Sequence, residues 1–294
     1  MQGRRLSGLV MGAGSGILYG SVNVLAKPLD MHAAWKTALL YAASAAFLSP
    51  FLRGLRIARA DRGKVLAMGF FGGGLAPVLL FFGLQETAAT DAGLLLTLEM
   101  VATAALAFAF LHERFTGRDT LGLLFLLATA GAVALASGQG ASATTLRGAA
   151  LVLAAAVSWG IDNAVSASLV GTYRVPQLVA VKGVIGATCA LLAIAALRPP
   201  LPTTTPALEM AGLGVVSIAC SSLLFYTALQ RVGAARTSAM NIATTATIGA
   251  LGGAALLHET LGWLHAVAFL LLLVGAALLW RASPIAAAPP GPVS

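Results

Sequence analysis

Charged residues are scarce in this chain. Of its 294 residues only 10% are charged, whereas 59% are hydrophobic, and the mean hydropathy is +0.90. A soluble domain needs polar side chains over its surface, so this composition excludes a soluble protein. The net charge of +8 therefore does not indicate nucleic-acid binding, because basic residues in a membrane protein first report its orientation.

Cysteine is also nearly absent. Cys189 and Cys220 both fall within apolar stretches, where a free cysteine behaves as a small hydrophobic residue. We therefore expect neither a disulfide nor a metal site, and the sequence offers no motif for a cofactor.

Long apolar runs are what the chain has in abundance. Runs of about 20 residues recur, the length that lets a helix cross roughly 30 Å of hydrocarbon. They do not alternate apolar and polar residues, which excludes a membrane barrel. The sequence predicts an all-α integral membrane protein with ten transmembrane helices, at residues 7–26, 33–51, 64–84, 90–111, 119–137, 147–170, 177–197, 207–229, 236–257 and 261–281.

The chain repeats itself with an offset of about 145 residues. A-F-L-H-E-R-F at residues 109–115 matches A-L-L-H-E-T-L-G at 255–262, and F-F-G-L-Q at 81–85 matches F-Y-T-A-L-Q at 225–230. Five helices per half is an odd number, so the second half enters the membrane from the opposite side and the repeat is inverted. The predicted units are repeat one at 1–140, repeat two at 146–283 and a disordered tail at 284–294.

Basic residues are unevenly divided between the two sides of this ten-helix arrangement. Most of the 18 Lys and Arg residues fall on one side, whereas Lys27, Lys36, Arg147 and Arg198 fall on the other. By the positive-inside rule both termini are cytoplasmic.

Two helices at equivalent places in the repeat carry polar stripes. The fourth has Glu99 with Thr103 one turn later, and the ninth has Asn241 followed by Thr244 and Thr245. If both stripes face the centre, the two halves supply one polar cavity. Since an ionisable group at a helix centre costs about 2.5–3.5 kcal/mol, Glu99 is a structural acid, a partner for a substrate amine, or a proton carrier.

Asp162 and Lys182 form a second candidate group. Counted along their helices they lie at similar depths, so we predict an ion pair or a water-bridged contact. In the first half Lys36 occupies the place of Lys182, and Asn23 lies at a similar depth in the first helix. Such a pair either fixes helix register or contacts the substrate.

Few aromatic residues are present, so their positions are informative. They make up 7% of the chain, and Tyr19 and Trp159 lie on the equivalent first and sixth helices. Trp159, with Asn163 one turn on, is near mid-membrane and is predicted to line a cavity wall; Tyr226 is predicted there as well.

Glycines and a proline interrupt two helices. The predicted hinges, with passive kinks as the alternative, are Gly72, Gly73, Gly74, Pro77, Gly249 and Gly252.

These features together resemble the drug/metabolite transporter superfamily, and within it the EamA-type ten-helix carriers. The matching residues are the five-plus-five repeat, the endings F-L-H-E-R and L-L-H-E-T, the pair Trp159–Gly160, and the basic Lys36 and Lys182. The resemblance covers residues 6 to 281. Where such carriers often have a proline in the fourth and ninth helices, this chain has Glu99–Met100 and Thr244–Thr245.

The resemblance implies export of amino acids or similar small polar metabolites by alternating access, from a bacterial inner membrane. Asn163, Asn241, Thr244 and Glu99 would hold the substrate's ammonium and carboxylate. The uncharged side chain of the substrate would contact Trp159, Tyr226 and Met100. The expected partners are this small molecule and the lipid bilayer, with no nucleic acid, and the protein is expected to be a monomer or weak dimer.

Two other functions were weighed. The nearest alternative is a multidrug or nucleotide-sugar transporter. An intramembrane protease is disfavoured, because Ser15 lacks a G-x-S-G setting and Asp162 has no facing aspartate.

Overall fold

A computed structural model of the chain describes residues 2–111, 116–138 and 143–280. Across these ranges the chain forms helices and connecting loops, with no β-strand. The helices are α1 (Gln2–Leu25), α2 (Ala33–Leu48), α3 (Arg62–Ala67), α4 (Ala76–Glu86), α5 (Ala89–Leu95), α6 (Leu98–Leu111), α7 (Gly117–Gly138), α8 (Ala143–Leu169), α9 (Val175–Leu197), α10 (Thr204–Leu213), α11 (Ser221–Val232), α12 (Ala234–Leu256) and α13 (Trp263–Trp280). The His112–Glu113 pair and the predicted tail lie outside the described residues.

Eight helical stretches in the described ranges are long and apolar enough to cross a membrane. They are Leu6–Leu25, Arg59–Glu86, Ala89–Leu106, Gly117–Ala136, Thr145–Leu169, Val175–Leu197, Thr204–Val232 and Arg236–Leu256. Of the two remaining predicted spans, one contains α2 with 16 residues and the other the shorter apolar helix Trp263–Leu279. The prediction of an all-helical membrane protein is therefore confirmed.

The closest helix contacts have counterparts when the two halves are exchanged. The repeat relates α1 to α8, α2 to α9, α4 to α11, the α5–α6 pair to α12, and α7 to α13. Accordingly α1 packs against α11 and α12, while α8 packs against α4 and α6. Exchanging the halves turns the pair α2–α9 into the same pair, and likewise α7–α13. Both pairs pack closely. The centre of the molecule is thus built by both halves.

Two segments in equivalent helices are wound as π-helix. Residues Met68–Leu75 join α3 to α4, and Gly214–Cys220 join α10 to α11. The glycine run Gly72–Gly74 lies in the first segment, and Pro77 lies in the first turn of α4. Where the sequence predicts a break, the helix therefore continues as a wider π-helical turn. In such a turn some backbone carbonyl groups can accept hydrogen bonds from side chains.

The fourth predicted span is divided, which the sequence analysis did not anticipate. α5 ends at Leu95 and α6 begins at Leu98, with Thr97 between them. Its hydroxyl donates to the Leu94 carbonyl at 2.7 Å, and the next backbone bonds join residues three apart. This tight turn places Glu99 in the first turn of α6.

Candidate functional site

A cavity lies at the centre of the molecule, between the two halves. Its volume accessible to water is about 50 Å³. Its lining comes from α1, α2 and α6 of the first half and from α8, α9, α11 and α12 of the second. The lining residues are Ser15, Tyr19, Tyr41, Glu99, Trp159, Asp162, Asn163, Lys182, Ser221, Ser222, Phe225, Tyr226 and Asn241.

Glu99 and Asn163 meet across the two halves. The Asn163 side-chain amide on α8 donates to Glu99 Oε1 on α6 at 2.7 Å, and lies 3.4 Å from Thr103 Oγ1. Thr103 in turn donates to the Glu99 backbone carbonyl at 2.7 Å. Glu99 is only 8% exposed. Its carboxyl group therefore has an amide partner but no cation within salt-bridge distance among the described residues.

Asp162 and Lys182 form a buried salt bridge at the same cavity. Ser166 Oγ donates to Asp162 Oδ1 at 3.0 Å and lies 2.9 Å from the Tyr226 hydroxyl. The Lys182 ammonium group is 5.7 Å from the centre of the Tyr226 ring. The sequence analysis treated this pair separately from the Glu99 stripe, but the structure places all of these groups in one site.

The repeat-equivalent Lys36 has a different partner. Its ammonium group donates to the backbone carbonyl of Ala26 at 2.7 Å, just past the end of α1. It also lies 6.0 Å from the Phe81 ring, as Lys182 lies beside Tyr226. The two halves thus share the lysine–aromatic contact, but only the second half pairs its lysine with an acid.

Aromatic side chains anchor one wall of the cavity to the first π-helical segment. The Tyr41 hydroxyl and the Trp159 indole N–H both donate to the Gly72 carbonyl, at 2.9 and 3.0 Å. Tyr19 packs edge-on against Trp159 with ring centres 5.5 Å apart. The π-helical turn makes this carbonyl available, because it interrupts the regular bonding of the helix.

Serine and amide groups form the opposite part of the lining. Asn241 on α12 donates to Ser15 Oγ on α1 at 2.9 Å, and Ser15 Oγ lies 3.0 Å from Ser221 Oγ on α11. Ser221 also donates to the Ser15 carbonyl. This group is neutral and offers both donors and acceptors.

Five predicted cavity residues are placed elsewhere by the structure. Thr244 donates to the Ala13 carbonyl at 3.1 Å, and Thr245 to the Gly16 carbonyl at 3.2 Å, so both tie α12 to α1. The other three are buried and do not line the cavity themselves, although Thr103 contacts the lining residue Asn163: Asn23, Met100 and Thr103. A hydroxyl group can satisfy itself on a helix backbone, which is why a polar stripe need not face water.

Asn23 has an unusual environment. Its side chain is fully buried in α1, and neither its amide nitrogen nor its amide oxygen has a hydrogen-bond partner. It faces α12 near Gly249, whose added Cβ would lie 3.9 Å from the Asn23 nitrogen.

The first predicted hinge is a site of close packing. A Cβ on Gly72 would overlap the Asp162 carboxyl group, and one on Gly73 would lie 2.8 Å from the Lys182 carbonyl. A Cβ on Gly74 would lie 2.8 Å from Cys189 Cβ. These glycines let the π-helical segment approach α8 and α9 and so hold the ion pair in place.

The second predicted hinge does not interrupt its helix. α12 runs without a break from Ala234 to Leu256. A Cβ on Gly249 would lie 3.2 Å from Gly93 Cα, and one on Gly252 would lie 2.7 Å from Val24. The expected interruption is therefore corrected to a close contact of α12 with α5 and α1.

Several lining residues were not predicted from the sequence. They are Ser15, Tyr41, Ser221, Ser222 and Phe225. One signal was available, because three of the chain's four tyrosines line the cavity. Hydroxyl groups of serine carried no comparable signal.

Metal chemistry has no support in the described part of the chain. None of its His, Cys, Asp and Glu residues form a group of three or more suited to a metal ion. Cys189 and Cys220 are free thiols.

A helical membrane protein with a charged central cavity shared by two related halves has the architecture of a transporter. The chain belongs to the EamA-like transporter family, which matches it over residues 6–135 and again over 146–281. The resemblance noted from the sequence is thereby confirmed, and the family is one of transporters and not of enzymes.

The similar proteins indicate the fold of this chain, and their names state no substrate. An uncharacterized transporter of Methanothermobacter thermautotrophicus is 29% identical over 234 residues, which are 76% of this chain and 66% of that protein. The chain thus spans just under two thirds of that relative's length. A solved crystal structure, described only as that of a protein, has a TM-score of 0.68 at 17% identity. It covers 92% of this chain and 96% of its own, and shows a shared fold alone.

Proposed function

We propose that this protein exports amino acids or similar small polar metabolites by alternating access through the central cavity. It lies in a bacterial inner membrane with ten crossings and both termini in the cytoplasm. The two family matches, together with helix contacts that persist when the halves are exchanged, support two repeats of five helices. An odd number of crossings per repeat makes the repeats inverted.

The carboxyl group of Glu99 is the observation that carries the substrate assignment. Asp162 and Lys182 pair with each other, so Glu99 is the acid of the described cavity lining that has no cation partner. A buried carboxylate that has only an amide donor is a ready partner for a substrate ammonium group. Binding would give the Glu99 carboxylate a cationic donor in place of the neutral amide of Asn163.

The rest of the lining suits the remainder of an amino acid. The neutral group of Ser15, Ser221 and Asn241 offers hydrogen bonds to a carboxylate without adding charge. Trp159 and Tyr226 offer aromatic surface for a side chain. A zwitterion therefore finds a partner for each of its parts.

The Glu99 carboxyl group also distinguishes between the two alternative substrate classes, lipophilic cations and nucleotide sugars. A lipophilic cation would also be attracted to Glu99, so a multidrug transporter is the second candidate. An anionic nucleotide sugar would meet a cavity of net negative charge, which disfavours it.

The proposal is tested with three compounds that carry the same phenyl ring but differ in their ammonium and carboxylate groups. Purified protein in liposomes is assayed for counterflow of labelled phenylalanine, phenethylamine and 3-phenylpropionate. We expect phenylalanine to exchange and phenylpropionate not to. Glu99→Gln should lower phenylalanine counterflow by about tenfold or more, since a charged hydrogen bond contributes roughly 1.5–3 kcal/mol.

The matched control is Glu209→Gln, which changes an exposed acid on α10 and should leave counterflow unchanged. Exchange of phenethylamine without phenylalanine would identify the cation transporter instead. If folded protein exchanges no member of a broad amino-acid panel, the proposed substrate class is wrong.

A further inference from the structure

Charged residues from both halves converge on one short connection of the first half. This connection, residues 87–88, joins α4 to α5, and the contacts are made by it and by the flanking helix residues 86 and 89–91. Glu86 forms a salt bridge with Arg147 at the beginning of α8, and Asp91 Oδ1 lies 2.8 Å from His265 Nε2 on α13. Both contacts join the first half to the second.

Glu259 makes the third contact and reaches the same connection. Its carboxylate accepts the backbone N–H groups of Ala89 and Thr90 at 2.7 and 2.8 Å. Lys27 donates to Glu259 at 2.7 Å and to the Thr87 carbonyl at 3.0 Å. Because the Lys27 and Glu259 side chains are only 25% and 13% exposed, water screens this pair less than a surface pair.

The connection leads directly to the cavity through α5. This helix has only seven residues, and it lies backbone to backbone on α12, where a Cβ on Gly93 would be 3.3 Å from Gly249 Cα. The turn at Leu96 and Thr97 follows, and Glu99 begins the next helix. From Asp91 to Glu99 is about 12 Å along the helix axis. α5 therefore separates the charged contacts from the cavity.

On the opposite face the equivalents of His265 and Asp91 make no such contact, while the equivalent of Glu259, Glu113, lies outside the described residues. The offset that relates Lys36 to Lys182 relates His265 to Asp119 and Asp91 to Thr237. Asp119 Oδ1 and Thr237 Oγ1 are both buried without a hydrogen-bond partner. On that face the α8–α9 connection and α11 border an open depression of about 490 Å³, and α11 also lines the cavity.

We propose that Lys27, Glu259, Asp91 and His265 clamp α5 shut over the cavity, with the exposed Glu86–Arg147 pair beside them. The clamp is the gate on the face that the proposed topology makes external. α5 moves as one unit about the turn at Leu96 and Thr97, so breaking the clamp opens the cavity to that face. The inference rests on the proposed transport function, since alternating access requires a gate on each face.

Thiol labelling tests the gate without any substrate. Cys189 and Cys220 are first replaced by alanine, and Ser222→Cys places a reporter in the cavity lining. A membrane-impermeant maleimide is applied to intact cells and, separately, to inside-out vesicles. We expect Glu259→Gln to raise the labelling rate from the clamp face by on the order of fivefold, and to lower it from the other face.

The control variant is Lys64→Gln, because the Asp61–Lys64 pair lies within one half and the Lys64 side chain is 51% exposed. It should leave both labelling rates unchanged. Lys27→Gln, which changes a partly exposed residue, should act like Glu259→Gln, and it carries the test if Glu259→Gln does not fold. Unchanged labelling from both faces in folded clamp variants overturns the gate, even if the protein transports amino acids. Faster labelling with no transport would keep the gate and reject the substrate.

Discussion

Ionisable residues and neutral polar residues differ in how well the sequence reports their position. Glu99, Asp162 and Lys182 were all identified from the sequence, and all three line the cavity. An ionised group has no favourable place against lipid, so its presence in an apolar run already indicates a protein-lined site. Thr244 and Thr245 were assigned to the cavity by the same reasoning, but their hydroxyl groups bond to the backbone of α1.

The ion pair makes a prediction about stability at the residue scale. Asp162→Asn leaves the Lys182 ammonium buried without a counter-charge and should destabilise the protein by about 3–5 kcal/mol. Adding Lys182→Met removes that charge, so the double variant should recover most of the loss. Thermal unfolding of the unmodified protein, both single variants and the double variant in detergent measures the effect. A double variant that is as unstable as the sum of both single variants would show that the charges do not interact.

Interruptions of helices were only partly visible at the scale of elements. Gly72–Gly74 signalled an irregular third helix, but nothing in residues 214–220 signalled the matching π-helical segment. The turn between α5 and α6 lies in a leucine-rich run with no glycine or proline after Gly93. Such features arise where neighbouring helices supply partners for freed backbone groups, so they depend on packing and not on local propensity.

The attachment of Glu259 to α5 makes stability depend on pH. Burial, the largest influence, raises the pKa of the Glu259 carboxyl group. The hydrogen bonds from Lys27 and from the N–H groups of Thr90 and Ala89 outweigh it, so the pKa lies below its ordinary value. The stabilisation is complete above about pH 4.3 and is lost as the pH falls through the lowered folded-state pKa.

Melting temperatures should show this dependence directly. Between about pH 7 and pH 3.5 the unmodified protein should lose more stability than Glu259→Gln, which has no carboxyl group to protonate. Glu209→Gln, at an exposed position, should keep the full acid sensitivity. Parallel curves for the unmodified protein and Glu259→Gln would contradict the assignment.

The whole molecule joins its halves more closely than the sequence repeat alone suggests. Every wall of the cavity combines helices of both halves, and the charged contacts with residues 86–91 cross between them. The unit boundaries at 140 and 146 and the monomer or weak dimer remain predictions. A protein built in this way cannot divide its function between two separate domains.

Reporter fusions test the proposed topology of the whole chain. A green fluorescent protein at the C-terminus should fluoresce, because it folds in the cytoplasm, and alkaline phosphatase there should be inactive. Alkaline phosphatase after Gly138, between the halves, should be active, since five crossings separate that point from a cytoplasmic N-terminus. The reverse pattern would invert the orientation, and equal behaviour of both sites would exclude an odd number of crossings per half.

The sequence by itself determined the class of protein, the repetition of two halves and the charged residues of the site. Hydropathy, repeated motifs and ionisable groups within apolar runs are properties of local stretches, and the membrane environment gives them one meaning. Only the tertiary structure decided which polar side chains face the cavity, because that depends on which helices pack on either side of each residue. It also decided that residues as distant as Lys27 and Glu259 meet, since such contacts follow from how the two halves pack against each other.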